Sequence, residues 1–365
     1  MNSPASRINK LHAYMDVNGI DAMLITAPKH VYYLTGFASE PHERFLGLLL
    51  PRGEEAKLLV PALDYEAAQA ASGATNIHTH ADTDDAHAIL RGLMPSGVRC
   101  LGVEKEHLTV SRFEAMSGAI GAESYVDIGM QLRDMRAVKA PEEAERMREA
   151  VRIVEDVLRA GIGLVKPGVT EIELVAELEY QMKKRGAQGP SFDTLVLAGA
   201  KSAMPHGMPD RNVVKEGELL LFDLGVFANG YASDITRTFA VGEITDEMKR
   251  IYNAVLAGNL RAVEAVRPGA SFGSLDRAAR ESITAAGYGP QFNHRLGHGL
   301  GLDIHEYPSI HGNNGELLRE GMTFTIEPGI YVPGIGGVRI EDDVLVTSQG
   351  VEVLTRYPKE LTVIG

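Results

Sequence analysis

The chain has 365 residues, of which 44% are hydrophobic and 23% charged, the balance of an ordinary globular protein of about two domains. Its 36 basic and 49 acidic residues leave a formal charge of −13, which argues against a binder of the nucleic-acid backbone. No apolar run approaches the roughly 20 residues of a membrane-spanning helix, and the single cysteine, Cys100, excludes an intrachain disulfide and a cysteine-rich zinc site. Residues 1–16 lack the apolar middle of a signal peptide, so a cytoplasmic location is expected.

In chain order, residues 2–18 read as a polar amphipathic helix. Residues 21–26 (DAMLIT), 45–50, 56–60 and 99–103 read as strands separated by turn residues and charges. This alternation predicts an α/β domain. Between them, His78, His80 and His87 lie among Asp82, Asp84 and Asp85, a metal-like composition. No apolar framework surrounds it, and it is read as a solvated loop. At Pro141 the pattern changes. Acids at 142, 143 and 145 follow the proline, and Ala144, Met147, Val151, Val154 and Leu158 fall on one helical face, marking a helix start. The domains are therefore expected to be 1–132 and 133–365.

The second domain contains an internal repeat. Residues 166–170 (KPGVT) match 267–271 (RPGAS) at an offset of 101, each ending in a helix-capping hydroxyl, and Thr170 with Glu173 forms a capping box. Residues 215–217 match 319–321 at an offset of 104, each opening an apolar strand. At that offset Asp223 falls on Glu327, and at an offset of 107 Asp234 falls on Glu341. His206 and His305 also occupy comparable positions. The reading is two related αβ units about a pseudo-twofold axis, each contributing two acids and a histidine.

Asp223 in LLLFDLGVF and Glu327 in MTFTIEPGI are acids in strands too apolar to leave a carboxylate unpaired. One such acid would be expected to pair with an arginine such as Arg237 or Arg339. Four in register point to a shared cation. Residues 293–306 (NHRLGHGLGLDIHE) add three histidines among glycines that permit close backbone approach. The same glycines match a nucleotide loop only weakly. One histidine with four carboxylates is an oxygen-rich set suited to two hard or borderline divalent ions.

On the motifs FDLG, SDITRTF, GHGLGLDIHE, TIEPGIY and VRIEDD, the chain resembles the pita-bread metallopeptidases: prolidase (Xaa-Pro dipeptidase), aminopeptidase P and methionine aminopeptidase. The resemblance covers about residues 142–365. The first domain resembles the N-terminal domain of the prolidase, aminopeptidase P and creatinase branch, which methionine aminopeptidases usually lack. Creatinase lacks the metal set. The resemblance implies a creatinase-like α/β domain followed by a pita-bread α+β domain. It implies Asp223, Asp234, His298, Glu327 and Glu341 as ligands of two divalent ions per subunit (Mn, Co or Zn), with Asp234 and Glu341 bridging. Glu327 is further implied as proton acceptor, His305 as stabiliser of the tetrahedral intermediate, and His206, His294 and Arg339 as substrate contacts. Arg339 has a second reading, as the partner that orients a ligand acid. The implied substrate is a small peptide with proline at its second position, and the implied assembly a homodimer. The expected activity is Xaa-Pro dipeptidase, with an aminopeptidase P on longer peptides and a non-catalytic binding protein on the same fold as the other readings.

Overall fold

The runs at 21–26, 45–50, 56–60 and 99–103 all become strands of one sheet in the computed structural model, which describes residues 3–71, 73 and 76–365. The first helix runs Pro4–Asn18, with Ser3 as its cap and Gly19 in the left-handed region at its end. Residue 2 of the expected helix lies outside the described residues. The chain divides into two compact units, Met1–Met135 and Arg136–Gly365. In the first, the six strands lie in the order Ile77–His80, Lys57–Pro61, Gly47–Pro51, Ala22–Ile25, Cys100–Val103, Ser124–Asp127. The central strands are fully buried runs, as expected of a sheet covered by helices.

The histidine-rich segment corrects the loop reading. Ile77–His80 is an edge strand that pairs parallel with Lys57–Pro61. His80 is buried, its Nε2 2.8 Å from the Phe45 carbonyl. Asp82 pairs with Arg44 at 2.7 Å, and Asp85 caps the helix Ala86–Leu93. The acids thus serve separate local structures and do not converge.

In the second unit the helix Pro141–Ile162 buries Ala144, Met147, Val151, Val154 and Leu158, and Thr170 and Glu173 form the capping box of Glu171–Lys184. A helix pair followed by antiparallel strands then occurs twice. The backbone repeats itself in detail. Gly168 N–H donates to Val214 and Gly269 N–H to Leu318, while Val214 donates to Val169 and Leu318 to Ala270. Gly217 donates to Val241 and Gly321 to Val346. The expected duplication is present, and each repeat builds its own apolar core.

In the first repeat, strand Glu218–Leu224 pairs with Ile235–Val241, setting Asp223 opposite Thr236, and with Leu195–Ala198. In the second, Thr323–Ile326 pairs with Asp342–Thr347, setting Thr325 opposite Asp343. The repeats join where Glu341 N–H donates to the Thr236 carbonyl at 3.1 Å and Arg339 N–H to Thr238 Oγ1 at 3.2 Å. That seam is where the candidate acids gather. Among the described residues, no helix is long and apolar enough to cross a membrane.

Candidate metal centre

All nine residues singled out from the sequence line one cavity of about 440 Å³. Asp223 stands in the strand Glu218–Leu224, and Asp234 directly precedes Ile235–Val241. His298 is the middle residue of Gly297–Gly299. Glu327 follows Thr323–Ile326, and Glu341 lies between Gly336–Arg339 and Asp342–Thr347. Two glycines permit this convergence. A Cβ at Gly297 would stand 2.0 Å from the Thr325 carbonyl oxygen, and one at Gly225 would stand 2.1 Å from the Ser233 carbonyl oxygen.

Asp234, His298 and Glu341 are buried, and each presents a ligand atom within 4.8 Å of the others. His298 Nε2 is 3.7 Å from Asp234 Oδ2 and 3.4 Å from Glu327 Oε1. His298 Nδ1 lies 3.1 Å from the Gly299 carbonyl, which can only accept, so Nδ1 carries the proton and Nε2 offers its lone pair to the acids. Asp223 Oδ1, Asp234 Oδ1 and Glu341 Oε1 are buried without a hydrogen-bond partner among the described residues.

The electrostatics agree. Burial pushes Asp234 and Glu341 well above the carboxylate range, reinforced by neighbouring acids. Burial likewise lifts Glu327 to about 7, with Arg339 opposing. Burial lowers His298 to about 3, with His305 adding to the shift, so the imidazole is neutral. Crowded carboxylates with orphan oxygens and a neutral imidazole lone pair are a donor set lacking only positive charge. These residues fit divalent ions.

Around them, Thr236 Oγ1 donates to Glu341 Oε2 at 2.6 Å, and Asp234 N–H donates to Asp343 Oδ2 at 2.9 Å. Arg339 is buried, and its nitrogens donate to Thr236 Oγ1, to Tyr331 OH at 2.8 Å and to Asp223 Oδ2. Tyr331 OH in turn meets His294 Nε2 at 3.1 Å, while His294 Nδ1 donates to the Arg295 carbonyl. Burial lowers His294 to about 4. Arg339 and His294 therefore line the cavity with their polar atoms already engaged, which favours the orienting role for Arg339. His305 and His206 are exposed at the site, and the His305 ring packs edge-on to His298 with centroids 4.2 Å apart.

Residues 145–348 match the model of metallopeptidase family M24, and residues 7–138 match the creatinase/prolidase N-terminal domain. The chain is a member of metallopeptidase family M24. This M24 peptidase is similar to the Xaa-Pro dipeptidase from Bacillus anthracis, with a TM-score of 0.94, 36% identity, and coverage of 99% of this chain and 100% of that one. It is also similar to the prolidase from Pyrococcus horikoshii OT3 (TM-score 0.91, 38% identity, 98% and 99% covered). The X-Pro aminopeptidase from Thermotoga maritima MSB8 matches with a TM-score of 0.88 and 34% identity over 95% and 98% of the two chains.

Sequence reasoning missed Tyr331, Thr236 and Arg295. Tyr331 and Arg295 line the cavity, and Arg295 also donates to Ser309 Oγ at 3.1 Å. Thr236 was within reach, since it lies two residues after Asp234 in the strand Ile235–Val241 that Asp234 precedes.

Proposed function

We propose that this M24 peptidase hydrolyses the bond between an N-terminal residue and proline, with Xaa-Pro dipeptides its preferred substrates. The observation that carries the reading is the pairing of a buried acid cluster with an apolar wall of Phe192, Leu195, Pro205 and Ile304 in one small cavity. Proline offers a ring and no N–H, so apolar contact is the handle by which a site can select it. A cavity of about 440 Å³ lies toward the small end of ligand pockets, which suits two residues better than a long peptide.

In this reading Asp223 would hold one divalent ion and His298 with Glu327 the other, and Asp234 and Glu341 would be shared between them. Mn, Co and Zn all suit these donors. Bound there, the ions supply Lewis acidity toward the scissile carbonyl and an activated water. Glu327 takes the proton of the attacking water and returns it to the leaving proline nitrogen. His305 donates a hydrogen bond to the oxygen that gains charge, and His206 contacts the substrate from its loop. Arg339 and His294 complete the substrate side, Arg339 chiefly by fixing Asp223. The expected setting is a cytoplasmic homodimer, checked by light scattering.

The similarity to an X-Pro aminopeptidase supports a second reading, action on longer peptides with proline second. Metal-reconstituted enzyme assayed on Ala-Pro, Ala-Pro-Ala and Met-Ala-Ser separates the two. Ala-Pro is expected to be cleaved fastest and Met-Ala-Ser not at all. Faster turnover of Ala-Pro-Ala moves the reading to aminopeptidase P, and cleavage of Met-Ala-Ser alone overturns both.

A further inference from the structure

His206 stands in the connection 199–212, where a short 3-10 helix, Gly199–Ala203, runs on into irregular chain, and no strand holds it. Met204 and Met208 on either side of it are exposed. A histidine on such a loop would wander unless something fixed the loop's ends. The loop's two ends meet at one side chain. Glu171 is completely buried, with 0% of its surface exposed. Its carboxylate accepts from Ala198 N–H at 2.8 Å and Lys201 Nζ at 2.6 Å where the loop begins. It also accepts from Asp210 N–H at 3.2 Å and Asn212 Nδ2 at 2.9 Å where the loop ends.

An acid at the first position of a helix is ordinarily explained by the helix dipole. That explanation falls short here. The capping box of this helix is made by Thr170 and Glu173, and every donor to Glu171 named above comes from residues 198–212. The second repeat supplies an internal control. At the offset of 101 that relates the two helix starts, Glu171 corresponds to Phe272, a buried core residue. The charged hub thus belongs only to the repeat whose loop carries His206. The loop is also tied across the seam, since Gly337 N–H donates to Ser202 Oγ at 2.7 Å on the strand that ends in Arg339.

We propose that Glu171 is a positioning residue for His206, a buried carboxylate that clasps both ends of the 199–212 loop and so holds the histidine at the cavity. The proposal rests on the substrate role of His206 given above. Two backbone N–H groups and an ammonium converge on a carboxylate that accepts at both oxygens. An amide of the same shape turns one of those acceptors into a donor facing donors.

The test uses full-length, metal-loaded enzyme with Ala-Pro as substrate. Glu171→Gln and the milder Lys201→Met are each made alone and in a His206→Ala background. Metal content, hydrogen exchange and kinetics are read on all of them. Glu171→Gln is expected to keep its metal, to speed amide exchange in residues 199–212 but not in the buried strands, and to lower kcat/KM by about tenfold, within the range for a small misplacement near a reacting centre. In the His206→Ala background that loss is expected to vanish. The same relative loss with and without His206, or unchanged exchange in the loop, overturns the proposal. If Glu171→Gln does not fold, Lys201→Met carries the same comparison with a smaller effect. If His206→Ala alone retains full activity, the substrate role of His206 fails, and the exchange result alone then decides whether the clasp exists.

Discussion

A guanidinium that already serves Thr236, Tyr331 and Asp223 has little left for a substrate carboxylate, and this sets the expectation for Arg339. Arg339→Met is expected to lower metal affinity and activity by about 10–100-fold, the usual range for a partner that orients a metal ligand. The loss should be equal on Ala-Pro and on its C-terminal amide. A rise in KM confined to the free acid would instead make Arg339 the substrate's counter-ion. His305 makes a contrasting case. It packs on His298 yet stands outside the three residues whose ligand atoms converge. His305→Ala should therefore keep its metal, measured by elemental analysis, and lose about 10²–10³ in kcat, the cost of one donor to a developing oxyanion. Asp234→Asn should lose metal and activity together. The acids behind these expectations were legible because a carboxylate in LLLFDLGV or TFTIEPG has no cheap way to be buried. Tyr331 was not legible in the same way. Its role comes from contact with Arg339 and His294, which lie 8 and 37 residues away, and no local pattern encodes that.

Elements were readable where apolar runs are continuous and unreadable where they are edges. The four central strands of the first unit are short hydrophobic runs between turn signals, and all four formed. Ile77–His80 and Ser124–Asp127 lie at the two ends of that sheet, half exposed and polar, so their strand character comes from a neighbour's hydrogen bonds and not from their own composition. In the second unit the repeat was visible as matched helix starts and matched acids. The packing of the two strand pairs at the seam was not, because it depends on glycines whose neighbours are set by the fold. Gly225 tests this. A methyl group there would meet Ser191 Oγ and the Ser233 carbonyl at 2.1 Å, just past the strand that carries Asp223 and beside the residue that precedes Asp234. Gly225→Ala is expected to destabilise the protein by about 1–3 kcal/mol, as overpacking does, and to lower metal occupancy. Gly118, exposed in the helix Val110–Ile120 with open space around it, is the control. Gly118→Ala should leave metal binding unchanged and raise stability by up to about 1 kcal/mol. Thermal unfolding with metal analysis on both variants checks the pair, and a Gly225→Ala protein with full metal and unchanged Tm would remove the seam argument.

At the scale of the molecule, two kinds of buried acid can be contrasted, and the contrast predicts how stability responds to conditions. Glu306 is paired with Arg136 and Lys139, and Asp342 with Arg237 and Lys359, so the chain itself neutralises them. Asp234 and Glu341 have orphan oxygens and no ion pair with a Lys or Arg among the described residues, so chelation of bound divalent ions is expected to lower Tm, with re-addition restoring it by mass action. The self-neutralised kind responds to acid. Burial opposes the charge on Glu306, but Lys139 and Arg136 outweigh it and hold the carboxyl at about 2, below its ordinary 4.5. A depressed carboxyl contributes stability that is fully present above its unfolded value and is lost as pH falls toward the folded one. The window for Glu306 is therefore from about 4.5 down to about 2. Glu306→Gln removes the titration and the charge that faces Lys139, while Arg136 keeps its ion pair with Asp303. It is expected to cost about 3–5 kcal/mol near neutral pH, the range for breaking a buried pair from one side. Between pH 4.5 and 2 its Tm should fall less steeply than that of the unmodified protein. Scanning Tm against pH for both proteins after metal removal isolates the chain's own charges. Parallel curves through that window would assign the acid sensitivity to other carboxylates and leave the Arg136–Glu306–Lys139 cluster with a purely geometric role beside His305.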